Sequence, residues 1–168
     1  MSPKVRTLIA LLVSVVLLDQ LTKGWIANYV SPFEPITVIE GFFRITHSRN
    51  PGAAFGLAQS MHVSVFVALT ILALALIGSF FRQIAADDRL SATSLGLIMA
   101  GAIGNLIDRV TRGEVVDFLQ FDLGLFIFPD FNVADSAICI GVALLLLDVV
   151  VQEAEESVGR PVDGEREP

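Results

Sequence analysis

The sequence predicts an all-α integral membrane protein with four transmembrane helices. Of its 168 residues, 54% are hydrophobic and only 17% charged, whereas a soluble domain carries about 25% charged residues. The mean hydropathy is +0.70. The apolar residues are also gathered into runs of about 20, the length a helix needs to cross roughly 30 Å of hydrocarbon. Together these observations exclude a soluble enzyme, a disordered chain and a basic nucleic-acid binder.

Four segments meet the length requirement: Thr7–Ile26, Val63–Phe81, Ser91–Ile107 and Val133–Val151. Lys4 and Arg6 ahead of the Leu8–Leu18 run give the first segment the look of a secretory signal. No small-x-small cleavage site follows, and the stretch continues as DQLTKGWI, so a retained helix is expected. Residues 1–151 then form one membrane domain. Residues 152–168 read as a disordered acidic tail: from Val151 onward the end holds six acids, two arginines and no aromatic residue. The single cysteine, Cys139, lies in an apolar run and excludes a disulfide framework.

With four spans, the long loops after spans one and three face the same side. Each contains a strand-like run broken by a glycine: PITVIEGFFRITH at Glu40-Gly41 and VVDFLQFDLGLFIF at Gly124. Both read as hairpins at the membrane surface. Lys4, Arg6, Arg82 and Arg89 make the opposite side the more densely basic one, which places both termini in the cytoplasm and the long loops outside.

Polar groups inside apolar helices are costly and mark candidate sites. Asp19 and Lys23 share a face of span one; they read either as a structural ion pair or as groups that orient a site. Gly96, Ala100, Gly104 and Asp108 form a small-residue stripe in span three. Packing explains the glycines but not why Asn105, Asp108 and Arg109 follow. Asn50–Gly56, NPGAAFG, reads as a tight turn, with neither a GK[ST] nor a frame for phosphate binding.

Asp117 opens one strand-like run, and Asp135 stands near the start of span four. A hairpin centred on Gly124 returns the chain near Asp130 and brings the two acids together. Asn132 and Asp135 also fit a helix cap with an acid three residues on, which accounts for Asp135 alone but not for Asp117. Two carboxylates in a partly dehydrated site cannot both ionise cheaply, which leaves one acid and one base for hydrolysis. His47 and His62 lack partners at metal-ligand spacing and are expected at the surface or an interface, so no metal is expected. Ser48, Ser60 and Ser136 have no triad context.

Taken in order, DQLTK (19–23), NPGAAF (50–55), GNLIDR (104–109), VVDF (115–118) and FNVADSAI (131–138) resemble the motifs of the lipoprotein signal peptidases, or type II signal peptidases. The resemblance covers about residues 5–151 and implies four helices with a small extracytoplasmic β-cradle. It implies an aspartic endopeptidase of the bacterial cytoplasmic membrane that cuts diacylglyceryl-modified prolipoproteins just before the lipidated cysteine. Asp117 and Asp135 then match the catalytic pair. Asp19, Lys23, Asn50, Gly52, Asn105, Arg109 and Asn132 match supporting or substrate-contacting positions. Membrane lipids and globomycin-type inhibitors are the implied partners, no cofactor is required, and a monomer is expected. The competing reading from the residues is a four-helix proton- or ion-coupled transporter that uses Asp19, Lys23, Asp108 and Asp135.

Overall fold

The computed structural model describes residues 1–52 and 62–159, with side chains through Gln152. Four helices, α1 (Pro3–Tyr29), α2 (Val63–Gln83), α3 (Arg89–Arg112) and α4 (Val133–Gly159), are long and apolar enough to cross a membrane. Three strands, β1 (Ile36–Ile39), β2 (Phe43–Asn50) and β3 (Val115–Phe121), occupy the loops after α1 and α3. Every helix extends beyond the span expected for it. In α4 the extra turns carry the helix past Val151 into residues assigned to the tail; residues 160–168 lie outside the described part.

Helix α3 sits at the centre because its residues are small. Ala92 and Ala100 are fully buried, and a side chain on Gly101 would collide with the Ala134 carbonyl oxygen of α4. A Cβ on Gly104 would lie 2.6 Å from Asp19 Oδ2 of α1, and one on Gly141 of α4 would lie 2.7 Å from the Ser94 carbonyl oxygen. Such close backbone approach is how helices associate in lipid, where apolar side chains gain little by meeting one another. Helix α1 turns Val13, Leu17, Leu18 and Leu21 outward, with Trp25 and Tyr29 toward its end, a lipid-facing stripe ending in an aromatic belt. At the opposite end Lys4 Nζ donates to the carbonyls of Phe81, Arg82 and Ile84 (3.2, 3.4 and 2.6 Å), holding the end of α2.

The two long loops share one antiparallel sheet in the order β1-β2-β3. The first hairpin turns at Gly41 (φ +67°), as its sequence predicts. The second differs from expectation. Gly124 does turn the chain (φ +78°), but the return arm makes only isolated bridges, Asp122 to Ile127 and Leu119 to Phe131. Pro129 supplies no N–H to that arm, and Phe131 alone receives the Phe118 and Leu119 amides at 3.0 and 2.8 Å. Strand β3 finds its ladder in β2 instead, with Ser48 opposite Asp117 and Asn50 opposite Val115. Val116 and Phe118 pack beneath the sheet on Ile26 of α1 and on Val30, which follows it. Alternation along β3 therefore sends Asp117 to the other face.

Candidate active site

Lys23 is the floor of the site. It is fully buried, 2.9 Å from Asp19 and 3.3 Å from Asp108, and it donates to Asn105 Oδ1 at 2.9 Å. Two carboxylates and an amide thus surround one ammonium, which such burial requires. The acids also hold the backbone. Asp19 Oδ1 accepts from the Ala134 amide at 2.9 Å, and Asp108 Oδ2 from the Val116 amide at 3.2 Å. The i,i+4 pair read from the sequence is therefore an anchor that also touches a group in contact with Asp135. The resemblance assigns Asp108 no place in the site; the sequence marks it only as an acid on the small-residue stripe beside Asn105 and Arg109, and as a member of the ion path in the transporter reading.

Two asparagines stand on this floor. Asn105 Nδ2 donates to Asp135 Oδ1 at 2.7 Å. Asn132 Nδ2 donates to Asp117 Oδ1 at 2.6 Å and to Asn105 Oδ1 at 3.2 Å. Asn132 and Asp135 also form a reciprocal cap: the Asp135 amide donates to Asn132 Oδ1 (2.9 Å), and the Asn132 amide to Asp135 Oδ2 (3.2 Å). Capping thus occupies one oxygen of Asp135 and leaves the other for Asn105.

Asp117 is closed in from the sheet side. Asn50 Nδ2 donates to its Oδ2 at 3.0 Å, while Asn50 Oδ1 accepts from the Gly52 amide at 2.9 Å, a turn that fixes the asparagine. Gly52 has φ +112°, which favours glycine there. Burial pushes the Asp117 carboxyl up to about 6. The negative charge of Asp135 adds to the rise; the hydrogen bonds from Asn50 and Asn132 and the charge of Lys23 oppose it.

Arg109 brings a second cation. Its guanidinium lies over the Phe66 ring, 5.6 Å from the centroid, and its Nε is buried with no acceptor among the described residues. Its charge bears on Asp135, Asp117 and Asp108. Residues 53–56 of the NPGAAFG motif lie outside the described part.

The two histidines, expected at the surface or an interface, occupy different places. His62 is exposed and caps α2, accepting from the Ser64 amide at 3.3 Å. His47 is buried against the end of α1, its Nδ1 2.8 Å from the Val30 carbonyl oxygen. Among the described residues no three His, Cys, Asp or Glu side chains gather to hold a metal.

Four membrane-spanning helices around buried charges, capped by a small sheet with two carboxylates at the junction, define a membrane protein with a polar site at one face. The sequence model of the Signal peptidase (SPase) II family matches residues 11–151. The lipoprotein signal peptidase of Geobacter sulfurreducens is 43% identical over 159 residues, 94% of this chain and 99% of its own. That of Geobacillus kaustophilus is 42% identical over 134 residues, 80% of this chain and 86% of its own. A bacterial membrane enzyme solved in meso at 2.3 Å resolution has a TM-score of 0.82 at 36% identity, covering 95% of this chain and 94% of that one. The chain belongs to the signal peptidase II family, a family of membrane peptidases.

Proposed function

We propose that this protein is an intramembrane aspartic endopeptidase of the bacterial inner membrane. It removes the signal peptide of diacylglyceryl-modified prolipoproteins by cutting just before the lipidated cysteine. The observation that carries the reading is the asymmetric grip on two carboxylates. The Asn132 side chain bonds the Asp117 carboxylate and its backbone amide bonds that of Asp135, while burial raises Asp117 to about 6. A carboxyl whose pKa is raised, beside a second carboxylate, supplies the acid and the base that amide hydrolysis needs.

In this mechanism Asp117 holds the proton and Asp135 is the base. Asp135 takes a proton from a water molecule as the water oxygen bonds to the scissile carbonyl carbon. Asp117 gives its proton to the carbonyl oxygen, forming a neutral tetrahedral diol. On collapse the C–N bond breaks, the amine takes the proton from Asp135, and Asp117 recovers one from a diol hydroxyl. Asn50, Asn105 and Asn132 hold the carboxylates, Lys23 and Asp19 hold Asn105 and the start of α4, and Gly52 shapes the Asn50 turn. Arg109, whose buried Nε has no acceptor among the described residues, contacts the substrate backbone.

A substrate anchored by lipid reaches such a site laterally, at the outer face where the sheet meets the helices. Both termini are then cytoplasmic, and the protein acts as a monomer in contact with membrane lipids. An ion path would need polar groups continuing through the bundle. Between the Lys23 cluster and the buried Ser91–Asp148 contact (2.6 Å), α3 instead presents Ser94, whose hydroxyl donates to its own helix at the Leu90 carbonyl, and then Gly96, Ala100, Gly101 and Gly104.

The test is cleavage of a purified diacylglyceryl-prolipoprotein by the detergent-solubilised protein, with and without globomycin. Globomycin-sensitive cleavage at the lipidated cysteine is expected. Failure to cleave, combined with proton flux in liposomes, overturns the proposal in favour of the transporter.

A further inference from the structure

The half-buried ring of Phe66 has no place in the chemistry above, yet it touches two parts of the site. It stands in the first turn of α2, a helix that packs chiefly against α3. A Cβ on Gly52 would lie 2.6 Å from Phe66 Cζ, so the turn that aims Asn50 at Asp117 rests directly on this ring. The same ring carries the Arg109 guanidinium at 5.6 Å. Gly52 lies beyond the end of β2 and Arg109 in the last turn of α3, so one side chain from a third element joins them.

We propose that Phe66 is a positioning residue for peptide cleavage, holding the Arg109 guanidinium away from the two carboxylates and the Asn50–Gly52 turn in its tight form. This rests on the reading of Asp117 and Asp135 as the reacting pair. The physical reason is the competition for a mobile cation. Asp135 and Asp117 are the acids on which the Arg109 charge chiefly bears, and an ion pair with either would occupy an oxygen needed for proton transfer. The negative face of an aromatic ring attracts the guanidinium without accepting a proton. Lys23, Asp19, Asp108 and Arg112 surround the same region, but Lys23 is held by Asp19 and Asp108, and Arg112 lies 3.8 Å from Asp108. Arg49 pairs with Glu114 at 2.6 Å.

The test replaces Phe66 with pentafluorophenylalanine, which keeps the shape of the ring but removes its negative face, alongside Phe66→Leu and Phe66→Tyr. Cleavage of the diacylglyceryl-prolipoprotein is followed across pH, with Asp117→Asn as reference. Fluorination and Phe66→Leu are expected to lower kcat/KM about tenfold, with Phe66→Tyr recovering most of it. The high-pH limb should move to lower pH in the first two, because a released cation near Asp117 favours its charged form. An unchanged rate and profile on fluorination, with Asp117→Asn inactive, overturns the role of Phe66 alone. An equal fall in all three Phe66 variants makes the residue mere packing and also overturns it. An active Asp117→Asn overturns the underlying site reading instead.

Discussion

Asn132 Nδ2 lies 2.6 Å from Asp117 Oδ1, joining the first residue before α4 to the third residue of β3. Because Asn132 also exchanges two hydrogen bonds with Asp135, one residue, through its side chain and its backbone amide, sets the relation between the two carboxylates. Asp117→Asn and Asp135→Asn should each lower prolipoprotein cleavage on the order of 10²–10⁴-fold. The double variant should be little worse than either single one, because paired groups act as a unit. If Asp135 only capped α4, its Asn variant would be nearly silent. Asp122→Asn is the better loop control, because Asp130 ties Thr46 to Gln120 through bonds of 2.8 and 2.7 Å.

Asp117 should titrate near 6, visible as a carboxyl band by infrared difference spectroscopy. Its proton is present below that value and lost above it. Asp135→Asn removes a negative neighbour and should move the band to lower pH. A move to higher pH, or none, would contradict the coupling.

Arg109→Lys keeps the charge but loses the planar fork and its stacking on Phe66. Cleavage should fall substantially while expression and insertion persist. Normal turnover would make Arg109 an interfacial anchor.

Lys23→Met should destabilise the protein strongly, by about 3–5 kcal/mol, since Asp19 and Asp108 would be left buried without their cation. Gly104→Ala places a methyl 2.6 Å from Asp19 Oδ2 and should cost about 1–3 kcal/mol. Thermal unfolding in detergent measures both.

For topology, single cysteines at Glu34 and Ala86 in a Cys139→Ser background are both exposed positions. Glu34→Cys should react with an impermeant thiol reagent added to intact cells, whereas Ala86→Cys should not. The opposite labelling pattern would turn the protein over in the membrane.

The sequence alone determined that four helices cross a membrane, because an apolar run of helical length has no other stable arrangement in lipid. It also marked Gly96 and Gly104, where α3 comes close to α1, since small residues at steps of four allow such contact; Gly101, which meets the Ala134 carbonyl of α4, lies off that stripe. The polar candidates were legible too: Asp19, Lys23, Asn105, Arg109 and Asp135 stand in apolar helices, where each needs a reason. Tertiary structure decided how they connect. The pairing of β3 with β2 sets Asp117 beside Asn50, and no local pattern in either loop specifies a ladder between strands so far apart in the chain. It also decided that Asp108 serves Lys23 and the Val116 amide, that His47 is buried, and that Phe66 meets Arg109. Periodicity tells which face of a helix is apolar; which side chain from another element fills the facing gap depends on packing that only the assembled fold creates.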